Sequence, residues 1–414
     1  MSLRKKYERN WGRLGMRFEH YYISELLSEI SMGPFGSNIK KECFVNSGIP
    51  VLNGSNLTDI ALNDDSFRYV TEEKANSLGK ANAYRGDVVV THRGTLGQIS
   101  FIPENSLYDR YVISQSQFRF RCNNKVLPEY LVYYYHTRQG QYELLSNASQ
   151  VGVPALARAT TTFQRLEIDI PEIDYQMKVV RLLEDIREKM EINKKINKNL
   201  EQQAQTFFDH FYDCLSGQAC TLSEIIDIRD GTHDSPKATD NGYPLVTSKH
   251  LLPFGVDTSS ANIISKADYD KVNERSNVNT GDILISMIGT VGLISYVIDS
   301  PVEFAIKNVG LFKTSQHPSL DLYILYYLKS ISTTHHIERC LAGSTQKYIS
   351  LGELRKLPIL VPSQQELDVY NSVVRSIVSE IILLVQENRR LSNIRDLLLP
   401  KLMTGELDVS DINL

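Results

Sequence analysis

Residues 86–100 read GDVVVTHRGTLGQIS, and 195 positions later residues 281–295 read GDILISMIGTVGLIS. Seven of the fifteen positions are identical: Gly86/Gly281, Asp87/Asp282, Gly94/Gly289, Thr95/Thr290, Gly97/Gly292, Ile99/Ile294 and Ser100/Ser295. Val88-Val89-Val90 stands in phase with Ile283-Leu284-Ile285. Each phrase reads as an apolar strand, a glycine-rich turn and a second strand. A chain that repeats such a phrase must make one fold twice.

The correspondence runs well beyond the hairpin. SGIPVLNGSNL (47–57) answers NGYPLVTSKHL (241–251), EYLVYYY (129–135) answers LYILYYL (322–328), and LEIDIP (166–171) answers LPILVP (357–362). The offset drifts from 195 to 191, as loop deletions would leave it. A period of that size is a duplicated domain, because solenoid repeats run to roughly 20–50 residues.

Each copy ends in a long helical pattern. Val179, Ile186, Asn193, Leu200 and Phe207 recur every seven residues, and 191 positions on stand Tyr370, Ile377, Leu384, Leu391 and Leu398. Between them lie Leu182, Leu183, Met190, Ile196 and Ala204, against Val373, Val374, Ile381, Ile394 and Leu402. A heptad pattern in the same phase in both copies predicts that the two helices pair as a coiled coil. Asn193, polar at a core position, is expected to fix register. Ser363 and Glu366 predict a capping box for the second helix, and Asp174 an N-cap for the first. A helix of about 37 residues spans ~55 Å at 1.5 Å each, so the second globule begins at its far end. Antiparallel packing would then give a pseudo-twofold molecule.

With 42% hydrophobic and 23% charged residues the composition is that of a globular protein. No apolar run approaches the roughly 20 residues that span a bilayer, and the N-terminus is no secretory signal. A cytoplasmic location and no membrane association are expected. The five cysteines (Cys43, Cys122, Cys214, Cys220, Cys340) form no C-x-x-C pair, so neither a disulfide framework nor a zinc ribbon is indicated. The net charge of −4 does not by itself point to nucleic acid, although seven Lys/Arg face four Asp/Glu between Arg85 and Arg138.

Catalytic signatures are missing from the sequence: no P-loop, no G-x-G-x-x-G behind a strand, no H-E-x-x-H, no G-x-S-x-G, and no Asn/Asp-Pro-Pro-aromatic motif of adenine methyltransferases. His335, His336 and Cys340 lack a second partner group and read as a polar helix face, with no metal expected. His92 and Arg93 in the first hairpin become Met287 and Ile288 in the second. A catalytic role would not vanish from one copy, whereas a specificity role can differ. The shared glycines set the backbone and the variable side chains set what each copy recognises.

Several phrases resemble the DNA-specificity (S) subunit of type I restriction–modification systems: GPFGSNIK with SGIPVLNGSNL, the two GD…GT.G hairpins, AGSTQKYISLGELRKLPILVPSQQEL, and LLLPKLMTGELDVS. The resemblance spans roughly residues 20–410. The first copy departs in its run-in, which keeps Ser149-Gln150 and Ile170-Pro171 without the Gly-Ser-Thr-Gln phrase. The resemblance implies an α+β fold, two tandem α/β target-recognition domains joined by two long antiparallel helices forming a coiled-coil spacer. The division expected is a first recognition domain over 1–170, a long helix over 171–212, a linker over 213–220, a second recognition domain over 221–362, a long helix over 363–400 and a tail over 401–414. It implies that each domain reads one half of a bipartite, asymmetric site in double-stranded DNA, that the helices measure the gap, and that the subunit is not itself an enzyme. Two methyltransferase subunits carrying S-adenosylmethionine dock on such a chain, and two restriction/translocase subunits add chemistry driven by ATP and magnesium. The rival reading is a coiled-coil scaffold with two protein-binding domains and no DNA role.

Base reading needs donors and acceptors in the groove. The candidates are Lys40, Lys41, Asn53, Ser55, Asn56, Arg93 and Gln98 in the first copy, and Lys249, His250, Thr290, Gln346 and Lys347 in the second. Lys40, Lys41 and Lys347 suit phosphate contacts equally. Tyr348 is expected to pack. Phe207, Phe208, Phe211 and Tyr212 offer more aromatic surface than a two-helix seam needs, and suit either a methyltransferase contact or the second domain's core.

Overall fold

A computed structural model describes residues 18–34, 38–149, 153–343 and 346–409. Phe35 to Ser37, Gln150, Ser344 and Thr345, which belong to phrases quoted above, lie outside the described residues, as do residues 1–17. The chain forms two compact units. One runs to Lys189 and resumes at Leu391, and the other is Met190–Arg390. Each unit therefore holds part of each long helix.

In the N-terminal unit the strand Phe18–Tyr22 pairs antiparallel with Glu167–Pro171. This ties the two ends of the globule together just before the first long helix opens at Ile173. Inside, a four-stranded antiparallel sheet has the order Leu27–Met32, Gln117–Cys122, Asp87–Thr91, Ile99–Phe101. A five-stranded sheet of short strands adjoins it. The repeated apolar run now has its reason. Side chains alternate across a strand, so Val88 and Val90 enter one core with Phe118, Phe120, Tyr130 and Phe163, while Val89 enters another with Leu52, Tyr111 and Ile113.

The C-terminal unit repeats this plan. Ala219–Thr221 pairs with Pro358–Leu360, so the expected linker already holds a closing strand. The four-stranded sheet has the order Ile228–Asp230, Val309–Phe312, Ile283–Ser286, Ile294–Tyr296. Ile283 and Ile285 face one core and Leu284 the other. The shared aspartates are buried anchors. Asp87 accepts from Tyr84 N at 2.9 Å and from Arg121 Nε at 2.7 Å, and Asp282 accepts from Asn279 N at 2.7 Å and Lys313 Nζ at 2.5 Å.

The long helices are Ile173–Asp213 and Gln364–Met403. The capping box forms as expected: Ser363 N donates to Glu366 Oε2 at 2.7 Å and Glu366 N to Ser363 Oγ at 3.3 Å. Asp174 is not the cap. It lies inside the first turn, where its charge still favours the helix N-terminus. Pro400 does not end the second helix, which continues to Met403; one lost bond in a last turn is tolerated. The helices are antiparallel. In the C-terminal unit Asn193 bonds Asn388 while the Phe211 ring packs on Tyr370 at 4.9 Å. In the N-terminal unit Val179 and Leu183 share a core with Leu399 and Leu402. Within the seam, Ile196, Val373 and Ile394 prove exposed. The 3–4 spacing carries the inward stripe through Met190, Asn193, Asn197, Leu200 and Ala204 instead, with Asn193 and Ala204 buried and the others half-buried.

Candidate nucleic-acid interface

In the four-stranded sheet of the N-terminal unit, Thr91 pairs with Gln117 and Phe118 with Met32. The hairpin tip after Thr91, the segment after Met32 and the segment before Gln117 therefore leave from one end of the sheet. His92 N donates to Ser116 O at 2.8 Å, and Gly33 N to Gln117 O at 2.8 Å. A further strand pair, Ala148–Ser149 with Ala155–Leu156, covers the tip: Gly94 N donates to Pro154 O at 2.9 Å and Leu156 N to His92 O at 2.8 Å. Gly94 has φ +92°, and a Cβ added there would meet nothing within 4 Å. The backbone conformation, not crowding, therefore requires glycine.

A short turn, Gly54–Asn56, joins this end. Asn53 Oδ1 caps it by accepting from Ser55 N at 2.8 Å. Asn56 Oδ1 accepts from Asn53 N at 3.0 Å, and its Nδ2 donates to Asn63 O and Asp65 O. Gln98 ties turn to hairpin: its Nε2 donates to Gly54 O at 2.8 Å and its Oε1 accepts from Thr91 Oγ1 at 3.2 Å.

The C-terminal unit reproduces three of these backbone bonds. Gly289 N donates to Lys347 O at 3.2 Å, Ile349 N to Met287 O at 3.0 Å, and Gly231 N to Val309 O at 2.9 Å. Thr247 N donates to His250 Nδ1 at 2.9 Å, as Asn53 N does to Asn56. Ser248 Oγ donates to Ile288 O at 3.2 Å, joining turn to hairpin. The run-in that diverges in sequence thus keeps its structural place: Ala155 bridges Arg93 as Tyr348 bridges Ile288.

The structure sorts the candidates by what their side chains already do. Asn53, Ser55 and Arg93 are exposed around one tip, and Lys249, Thr290, Gln346 and Lys347 around the other. Tyr348 is 44% exposed, not packed away. Asn56 and His250 are corrections. Both are buried, and their polar atoms hold the turn. Burial pulls the His250 imidazole below the ordinary histidine pKa, with Lys249 adding to the effect. Both ends of the Gln98 amide are taken up internally. Lys40 and Lys41 are exposed beside Phe44–Val45, an edge strand of the five-stranded sheet, and no described hydrogen bond joins them to the tip.

The aromatic quartet is a further correction. Phe208 is 1% exposed, and Phe207, Phe211 and Tyr212 pack with it against Tyr323, Tyr327 and Tyr370. Tyr212 Oη accepts from Leu360 N at 3.2 Å. These rings build the core of the C-terminal unit. Among the described residues no three His, Cys, Asp or Glu side chains cluster as metal ligands, His335 and His336 included.

Sequence reasoning misses His233, Lys307 and Asn308. Lys307 Nζ donates to Ser235 Oγ at 2.5 Å, and Asn308 N to Thr232 O at 3.1 Å. A signal for them exists: GTHDSPK (231–237) leaves its sheet where GPFGSNIK (33–40) leaves the other. Lys40 comes from one of these segments, and the other segment supplies its own polar side chains at the matching place.

The type I restriction modification DNA specificity domain, as a family, matches residues 28–202 and again 218–383. The chain is 23% identical over 369 residues to the type I restriction enzyme MjaIX specificity subunit of Methanocaldococcus jannaschii, across 83% of each chain. It is 21% identical over 463 aligned positions to the HindI specificity subunit of Haemophilus influenzae, across 92% of this chain and 99% of that one. Among solved structures, the type I restriction–modification S subunit from M. genitalium superposes with a TM-score of 0.52 at 15% identity, covering 94% of this chain and 96% of the other. That last likeness is one of fold. Two matched domains over most of its length make the chain a member of the type I restriction–modification DNA specificity family.

Proposed function

We propose that this chain is the sequence-reading subunit of a type I restriction–modification complex, in which each unit takes one half of a bipartite asymmetric DNA site. One observation carries the reading. The two tips share a backbone frame and differ in side chains: Arg93 stands opposite Ile288, and Val153-Pro154 opposite Gln346-Lys347. A common scaffold with divergent donors suits two different short base sequences. The paired helices set the unread gap, since successive major grooves on one face repeat every ~34–36 Å, and their exposed faces receive two methyltransferase subunits. Those partners bring S-adenosylmethionine and take the target adenine out of the stack. Two restriction/translocase subunits, using ATP and magnesium, would complete the assembly. The chain itself supplies binding and orientation, not chemistry, and acts in the cytoplasm.

The test is salt-dependent binding of the assembled chain and methyltransferase to duplex DNA. Phosphate contacts release counterions, so log affinity should fall linearly with log salt with a slope of several units. A salt-independent result, or no binding, would favour the protein-binding scaffold.

A further inference from the structure

In the C-terminal unit one polar side chain is held in a pose that packing does not require. Asn308 has φ +54°, a left-handed conformation that asparagine tolerates better than most residues. It immediately precedes Val309, whose pairing partner is Ser286, the last residue of the strand entering the hairpin tip. Its Oδ1 lies 2.8 Å from Nδ1 of His233, and Nε2 of that ring lies 3.1 Å from Oδ2 of Asp230. Asp230 is 3% exposed, and its other oxygen is bonded by Arg275. A buried carboxylate thus fixes a ring, and the ring fixes an amide at the reading end of the sheet.

The amide is only partly used. The His233 ring takes one atom of the amide, Oδ1 or, with the amide turned, Nδ2, and in either orientation one N–H and one acceptor lone pair of Asn308 have no partner among the described residues. An amide with a free N–H and a free acceptor site is the group that pairs with N7 and N6 of adenine in the major groove. The N-terminal unit has no such arrangement among its described residues. Ser116 occupies the corresponding position, and His92 Nε2 lies 3.2 Å from the backbone oxygen of Gln115 instead.

We propose that Asn308 reads an adenine in the half-site of the C-terminal unit, and that His233, anchored on Asp230, is the positioning residue that aims its amide. This rests on the DNA-reading function proposed above. The experiment maps adenine methylation in cells co-expressing the methyltransferase partner with wild-type chain, Asn308→Ala, His233→Phe or His233→Gln. If the wild type yields no split motif, the reading function fails and this assignment with it. If the wild type yields one, Asn308→Ala should lose roughly five- to hundred-fold discrimination at one A·T position of one half-site, with the other half-site intact. His233→Phe should relax the same position, and His233→Gln, which keeps a polar group toward Asn308, should restore it. A merely structural His233 would lower the melting temperature without moving the motif. An unchanged motif in Asn308→Ala overturns the assignment. So does uniform loss of methylation from a complex that assembles and melts like wild type, because Asn308 would then grip without reading. Should Asn308→Ala not assemble, Asn308→Asp keeps the size of the side chain, removes the Nδ2 donor and adds a negative charge, and an unaltered motif there is equally decisive against it.

Discussion

Asn193 Nδ2 donates to Asn388 Oδ1 across the antiparallel helix pair at 2.9 Å, inside a seam where Asn193 is fully buried. The same Nδ2 reaches Glu387 Oε2 at 2.6 Å, and Asn388 Nδ2 returns a bond to Met190 O at 3.1 Å. A polar pair among apolar layers makes these bonds in one register only. Asn193→Leu should therefore cost about 1–3 kcal/mol, since Asn388 and Glu387 lose their donor. Adding Asn388→Leu should recover part of it. Denaturant unfolding of the two variants checks both.

The same seam bears on the gap between half-sites. Four residues inserted beside Asn193 lengthen the helix by ~6 Å. Methylation mapping should show a changed gap or no methylation, with both half-sites unaltered when methylation persists. A changed half-site would contradict the helices' role as a spacer.

Arg93→Ile places at the first tip the residue that stands at the second. It should change or relax one position of one half-site, by about 1–3 kcal/mol of discrimination, and leave the other half-site alone. Binding competition with singly substituted duplexes reads this directly. Relaxation in both half-sites would mean that Arg93 acts on the phosphate backbone.

Lys313 and Asp282 form an ion pair whose side chains are 2% and 0% exposed. Lys313→Met leaves a buried carboxylate without its cation and should destabilise the chain by about 3–5 kcal/mol. The counterpart, Asp87, has two arginine partners, Arg119 and Arg121, so losing Arg121 alone should cost less. Unfolding midpoints compare the two.

Burial holds His92, His136 and His250 below the ordinary histidine pKa. Below about 6.5 the unfolded chain takes up protons that the folded chain refuses. Stability should therefore be complete above that value and fall as pH drops from about 6.5 toward the lowered folded pKa values. The slope is about 1.4 kcal/mol per pH unit for each such histidine. His136 Nε2 lies 2.9 Å from Ile99 O, so His136→Gln, which keeps a donor there, should flatten the profile by one histidine's share. Melting curves between pH 7.5 and about 5.5 measure it.

Much of the architecture is legible in the sequence because it rests on patterns that chain chemistry enforces. The in-phase Val88–Val90 and Ile283–Ile285 runs expose the duplication, and their unbroken apolarity reflects burial on both faces. The heptads and the Ser363–Glu366 box place the second helix. Individual side-chain roles are harder to read. Asn56 and His250 have the composition of readers, yet each folds back on its own turn, and only tertiary contacts decide between the two. The quartet from Phe207 to Tyr212 looks excessive for a helix seam because its true partners, Tyr323, Tyr327 and Tyr370, lie more than a hundred residues away. The first run-in has lost its phrase but keeps its backbone bonds to the hairpin, which sequence identity does not register.

Two diverged readers acting on one DNA through a fixed spacer leave a particular mark on that DNA. It is read by an adenine-methylation map of DNA from cells co-expressing this chain with its methyltransferase partner. The expected result is a split motif, two short and different specified parts around an unread gap of constant length. A contiguous motif, or no new methylation from a complex shown to assemble, would contradict the two-reader arrangement.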